Sequence, residues 1–475
     1  MDNPRLFING EWVGAGRAEP VINAYTGAAI ASVPVGDEST LDAAVAAAHA
    51  AFPQTRRMPA HERGRILASA AAEIGRRAKE FAETIVAEAG KPITLAEGEV
   101  ARCVQTFSAA ADEARRSHGQ TIEMDALPAG VNHFALVKRF PIGVVYGIAP
   151  FNFPLNLVAH KVAPAIAAGC TMVLKPAPRT PLSSLLLAEV LSGAGLPAGQ
   201  VNVVTCPNEL AQRPLADDRV RMVSFTGSPA VGWPLKSAAG KKKVTLELGG
   251  NAAVIVHDDA DLDSTVPLIA SGAFAFAGQS CISVQRIFVH RPVYDAFVQR
   301  LLAHTQNKVL TGDPARRDVL VGPMISRAAL DRVARQVDSA RAAGATVLCG
   351  GAIADDGKCY LPTILANVDP GHEVCATEVF APIAVVAAYD AFDAALAAVN
   401  DSPFGLQAGV FTRDIGRIMA AFHELEVGGV MVNQVPTWRV EHMPYGGVKD
   451  SGFGREGLKY AIEEMTEPRL LTIRL

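Results

Sequence analysis

Residues 143–175 read GVVYGIAPFNFPLNLVAHKVAPAIAAGCTMVLK. Gly143 to Ile148 is an apolar run of strand length, Leu155 to Ala168 carries apolar residues at helical spacing, and Thr171 to Leu174 is a second apolar run. Fully apolar strands joined by a helix are the mark of a parallel sheet covered on both faces. The pattern continues outward. Pro181 to Ser192 reads as a helix, and Val201–Val204 and Met222–Ser224 read as strands. After Gly249-Gly250 a second series begins. Its strands are predicted at Ala253–Val256, Arg286–Val289, Thr346–Cys349, Ile383–Ala387 and Gly429–Val432. Its helices are predicted around Leu262–Phe276, Pro292–Thr305, Ala328–Ala343 and Phe392–Val399. The expected fold class is therefore α/β, with two doubly wound units and the glycine pair as hinge. Such sheets place ligands at strand ends.

Upstream, Leu41 to about Arg116 is helical in period. Residues 118–139 read as an extended hairpin turning at Leu127-Pro128-Ala129-Gly130, and Arg469 to Leu475 reads as a short apolar strand that needs a partner. Over 475 residues, 49% are hydrophobic and 19% charged, so a large core is available and a disordered chain is excluded. The net charge of −4 offers no global basic field for nucleic acid or anionic lipid. No apolar run is long enough to span a bilayer. The N-terminus lacks a signal-peptide pattern, and seven widely spaced cysteines without a CxxC pair fit reduced thiols in the cytoplasm. No metal site is expected.

Several residues could carry chemistry. Cys281 follows the polar turn Gly278-Gln279-Ser280 and precedes a strand, where a thiol can face a cleft and be ionised by nearby donors. The bland alternative is a small buried hydrophobe. Asn152, Asn156 and His160 are four apart and are expected along one helix face; Asn152 could aim an N–H at a developing oxyanion, or simply cap the helix. Glu247 interrupts a strand pattern. It is either a general base among apolar neighbours or an edge carboxylate paired with Lys241, Lys242 or Lys243. Glu378 taken alone reads as a surface carboxylate. Lys175 ends an apolar strand, and Phe225-Thr-Gly-Ser228 precedes a helix start where phosphate could bind. No GxGxxG follows a strand.

Together, Phe151-Asn-Phe-Pro154, Lys175-Pro176, Phe225-Thr-Gly-Ser228, Leu246-Glu-Leu-Gly-Gly250, Gly278-Gln-Ser-Cys281 and Glu378-Val-Phe-Ala-Pro382 resemble, in order and spacing, the NAD(P)-dependent aldehyde dehydrogenase superfamily. The resemblance runs from Ile8-Asn-Gly-Glu-Trp12 to Pro444-Tyr-Gly-Gly-Val-Lys-Asp-Ser-Gly452. It implies that Cys281 is the nucleophile, Glu247 the general base and Asn152 the oxyanion donor. It implies cofactor contacts at Phe151, Lys175, Pro178, Gly227, Ser228, Leu248, Gly249, Glu378 and Phe380. It implies a cofactor domain of residues 1–117 and 140–250, with 447–460 returning to it, and a catalytic domain of 251–446. A flap of 118–139 and 461–475 would make a homodimer or homotetramer.

Many members of the superfamily carry Glu where this chain has Pro178, so NADP is expected to be accepted as well as NAD. Arg102, His160, Arg439 and Ser280 resemble the substrate positions of the branch similar to lactaldehyde, phosphonoacetaldehyde and non-phosphorylating glyceraldehyde-3-phosphate dehydrogenases. Three cationic or donor groups there favour an anionic tail on a short aldehyde. The alternatives are a neutral hydroxyaldehyde such as lactaldehyde, CoA-acylating chemistry, or a non-catalytic relative.

Overall fold

The computed structural model describes residues 4–116 and 119–475; the start of the expected hairpin, His118, lies outside them. Eight strands form the first sheet, in the order Glu11–Val13, Leu6–Ile8, Val201–Val203, Thr171–Lys175, Val144–Ile148, Val220–Thr226, Lys243–Glu247 and Gly452–Phe453. Its central strands run parallel, as their unbroken burial requires. The antiparallel edge pair Leu246↔Phe453 and Glu247↔Gly452 brings the end of the chain back beside Glu247.

The second sheet has seven strands, in the order Thr346–Cys349, Thr363–Ala366, Ile383–Tyr389, Val284–His290, Ala252–Val256, Gln407–Phe411 and Gly429–Val432. All its pairs are parallel except the antiparallel edge strand Thr346–Cys349. A third, three-stranded sheet pairs Thr466–Arg474 along the whole of His133–Pro141, with Gln120–Ile122 on the other side. The molecule is thus two doubly wound α/β units with a small additional β-sheet. No helix among the described residues is long and apolar enough to cross a membrane.

Two local readings need correction. The helix expected to reach Phe276 ends at Phe274, and a tight turn over Ala275–Gly278 follows. There Phe276, Ala277 and Gly278 all have φ between 54° and 65°, which reverses the chain just before Cys281. A Cβ on Gly278 would lie 2.1 Å from the Ala381 carbonyl oxygen, so only glycine fits. Asn152 is not on the helix with Asn156 and His160. That helix spans Asn156–Ala168, and Asn152 sits in the bend ahead of it. The reason is Glu99, whose Oε1 accepts from the backbone N–H of both Leu155 and Asn156 and so fixes the helix start there.

Candidate active site

Cys281 opens onto a cavity of about 460 Å³ between the two large units. Its walls include Phe153, Leu157, Phe276, Ser280, Thr437, Arg102 and Arg439. The Cys281 Sγ lies 3.2 Å from the Tyr445 hydroxyl. Burial pushes the thiol up to about 12, against the hydrogen bond from Tyr445. The sequence reading of a thiol ionised by neighbouring donors is therefore wrong for the resting protein: desolvation outweighs the one donor present.

Asn152 is buried, and its Nδ2 donates to the backbone carbonyl of Gln279 at 2.9 Å. A carboxamide has two N–H groups, so one anchors the side chain beside the nucleophile and the second is left to point elsewhere. The Gln279 side chain locks the same turn, accepting from Ile325 N–H and donating to the Phe276 and Pro323 carbonyls.

Glu247 is 3% exposed at the end of its strand, and neither carboxylate oxygen has a hydrogen-bond partner. Burial raises its pKa well above 4.5, and the neighbouring Glu456 raises it further, against Arg439, Lys161 and Arg455. It is not an edge carboxylate paired with lysine: the Lys243 ammonium donates to the carbonyls of Glu464 and Thr466 instead. A buried, unpaired carboxyl that resists ionisation has the properties of a general base or acid.

Glu378 is half-buried rather than a free surface carboxylate. Its Oε1 accepts from the Gly250 N–H at 3.1 Å, and burial raises its pKa to about 7. A Cβ on Gly249 would lie 2.3 Å from Glu378 Oε2, so the glycine pair and the carboxylate form one tight bridge between the two units. Phe380, held at φ 51°, meets Phe151 edge to face at 5.9 Å. Leu248 is buried against Gly232, where a Cβ would approach it to 2.4 Å.

Gly227 and Ser228 precede the helix Pro229–Ala238; Pro229 has no N–H and Val231 and Gly232 donate to the Ser228 carbonyl, which leaves the Ala230 N–H and the Ser228 hydroxyl, which does not cap the helix, to meet a phosphate. Lys175 ends its strand buried, with Nζ donating to Asn208 Oδ1 at 3.0 Å. A cavity of about 290 Å³ opens beside it, lined by Pro178, Cys206, Asn208, Glu209 and Arg17. These residues fit a pyridine nucleotide running from Pro178, past the helix start, to Glu378 and Phe380.

Of the four expected substrate residues, Arg102, Arg439 and Ser280 line the cavity of Cys281 and His160 does not. His160 lies behind it, with Nε2 2.6 Å from Glu441 Oε2. Glu441 also accepts from Arg102 Nε at 2.6 Å. Arg439 stacks over the Tyr445 ring at 3.7 Å. Its Nε is buried with no acceptor. Sequence reasoning missed Tyr445, Glu456 and the pairing of Glu441 with Arg102 and His160. Only Tyr445 left a signal, inside the Pro444-Tyr-Gly-Gly447 motif.

Among the described residues, one group of metal-ligating residue types lies elsewhere: His257, Asp258 and His290. It sits at the far ends of the strands whose near ends face Cys281. The two imidazoles stack at 4.2 Å with planes 9° apart, so their in-plane lone pairs run side by side rather than converging.

The aldehyde dehydrogenase family model matches residues 12–471. The 3-sulfolactaldehyde dehydrogenase of Priestia aryabhattai is 45% identical over 471 residues, covering 99% of this chain and 98% of its own. The NADP(+) succinate-semialdehyde dehydrogenase of Escherichia coli (strain K12) is 39% identical over 481 residues, covering 99% and 98%. Among solved structures, aldehyde dehydrogenase 21 of Physcomitrella patens in complex with the reaction product succinate superposes with a TM-score of 0.96. It is 41% identical, with 99% of each chain covered. The chain belongs to the aldehyde dehydrogenase family, and it is an NAD(P)+-dependent oxidoreductase that oxidises an aldehyde.

Proposed function

We propose that the chain converts a short aldehyde with an anionic tail into its carboxylic acid, through a thioester on Cys281. The observation that carries the tail is the cavity itself: Arg102 and Arg439 line it together with Cys281, and the Arg439 Nε–H is a buried donor without an acceptor. A buried unpaired donor costs stability unless something binds there. The relatives named above, one acting on a sulfonated aldehyde and one crystallised with a dicarboxylate, support the same tail chemistry.

Each residue then has a task. The Cys281 thiol loses its proton to solvent, and the thiolate Sγ adds to the carbonyl carbon. The free Asn152 N–H and the Cys281 backbone N–H stabilise the oxygen that becomes negative. The Tyr445 hydroxyl donates to sulfur as charge builds there. The bound nicotinamide supplies the hydride acceptor. Glu247 takes a proton from water, which attacks the thioester and releases the acid and the thiol. That base supports hydrolysis rather than transfer to CoA.

Replacing Arg102 or Arg439 by Ala is expected to raise KM for succinate semialdehyde far more than for propanal. Equal effects on the two aldehydes would end the anionic-tail reading.

Pro178 itself brings no carboxylate to the cavity where the adenosine ribose would sit; of the two glutamates that line it, Glu19 is paired with Arg17 and Glu209 is the other. This supports acceptance of NADP alongside NAD. Pro178→Glu is expected to lower kcat/KM for NADP much more than for NAD. A wild-type protein strongly selective for NAD would refute the reading.

All seven cysteines are free, which supports a reducing, cytoplasmic setting. The outermost strand leaves Leu470, Leu471 and Ile473 exposed, as Phe134 is on the strand beside it, which supports a homodimer or homotetramer assembled through this sheet.

A further inference from the structure

The cavity beside Lys175 has three charged residues in its lining: Arg17, Glu19 and Glu209. Arg17 and Glu19 are paired with each other. Among the described residues, Glu209 makes no hydrogen bond and no ion pair. Arg179, which follows Pro178, is exposed and does not line the cavity. Next to Glu209, the Asn208 Oδ1 accepts from the Lys175 ammonium at 3.0 Å. That leaves Lys175 two further N–H groups to offer.

The fold puts these groups together. Strands Thr171–Lys175 and Val201–Val203 are parallel neighbours, with Leu174 opposite Val203, so both end at the same edge of the first sheet. Lys175 and Pro178 follow the first strand. After the second, the chain passes Thr205, whose hydroxyl donates to the Pro34 carbonyl, and enters the tight turn Asn208–Leu210 that carries Glu209. The charge of Glu209 is felt at the strand end. Burial lowers the Lys175 pKa, and Cys206 and Glu209 oppose that shift. Burial raises the Cys206 pKa, Lys175 opposes it, and Glu209 adds to it.

In doubly wound sheets, NAD and NADP are told apart near such strand ends. A carboxylate there accepts from the ribose 2′-hydroxyl and disfavours a 2′-phosphate.

We propose that Glu209 is the residue that reads the 2′ position of the adenosine ribose, accepting from the hydroxyl of NAD and opposing the phosphate of NADP. The inference rests on the cofactor reading above, which places that ribose in this cavity. Pro178 opens the site to NADP; Glu209, standing free in the same cavity, limits how far. Glu209 is exposed, so its repulsion is screened by solvent and salt. It biases the choice of nucleotide and does not forbid NADP. The plain alternative is a solvated turn residue, which would leave the choice untouched.

The test uses two ligands that differ by a 2′-phosphate: 5′-AMP and adenosine 2′,5′-bisphosphate. Their Kd values are measured by calorimetry on the cofactor-free protein at low ionic strength. In Glu209→Gln the bisphosphate is expected to bind about five- to tenfold tighter and 5′-AMP about twofold weaker. The ratio of kcat/KM for NADP to that for NAD should rise about tenfold with them. Glu209 has no partner to lose, so the variant should keep the wild-type melting temperature. An unchanged ratio of the two Kd values in Glu209→Gln overturns the proposal, as does a gain that 5′-AMP shares equally. Pro178→Glu separates this failure from that of the cofactor reading. If Pro178→Glu weakens the bisphosphate while Glu209→Gln changes nothing, the ribose is in the cavity and Glu209 does not read it. If neither substitution moves the ratio, the ribose lies elsewhere and the cofactor reading falls with the proposal.

Discussion

Cys281→Ser is expected to abolish dehydrogenase turnover to within the background of the assay, with nucleotide binding retained. The sulfur lies on the cavity 3.2 Å from the Tyr445 hydroxyl, and Asn152 is anchored on the nearby Gln279 carbonyl. A serine hydroxyl is far less acidic than a thiol, and the thiol itself is already pushed up to about 12. The sign of the pH effect follows. Because the ionised thiol is the reactive form, alkylation of Cys281 in the cofactor-free protein should accelerate about tenfold for each pH unit between 7 and 9. A flat alkylation rate over that range would show a thiol ionised at neutrality, contrary to its burial. Retention of even a few per cent of dehydrogenase activity in Cys281→Ser would remove Cys281 from the mechanism.

Asn152→Ala is expected to lower kcat by about 10²–10³, with a smaller change in KM, since an oxyanion donor acts mainly when charge develops. The Gln279 carbonyl that orients Asn152 would lose its partner, so some loss of stability is expected as well. Circular dichroism and the melting temperature separate the two effects. Near-normal kcat in a folded variant would leave Cys281 N–H as the sole donor and exclude Asn152.

The layers of this fold were legible because buried parallel strands cannot hide: Val144–Ile148, Thr171–Lys175 and Gly429–Val432 appear where apolar runs predict them. Gln407–Phe411 and Thr363–Ala366 were not foreseen. Both are short, and the first contains glycine, so neither has a period to read. The turn at Phe276-Ala277 was equally silent, because nothing in those two residues announces positive φ. Long-range pairs were the largest loss. Asn152, Glu247 and Cys281 stand in motifs, but what surrounds them comes from far along the chain. The partner of His160 lies 281 residues away and that of Arg102 lies 339 away. A sequence can mark which side chain is unusual; it does not say which distant carboxylate folds back to neutralise it.

The return of the chain to the first sheet at Gly452–Phe453 also orders events in time. Arg439, Glu441 and Tyr445 belong to the segment that ends there and Glu456 follows just after it, and together they give Cys281 its hydrogen bond and Glu247 its electrostatic surroundings. On the ribosome, the nucleophile emerges well before any of them. Both large sheets, save the edge strand Gly452–Phe453, can assemble around a site that is still incomplete, because the strands beside Cys281 are already made. Reactivity is therefore conferred late: a nascent chain halted before Arg439 carries its cysteine without the groups that tune it, and the last stretch of synthesis is what turns a folded scaffold into an enzyme.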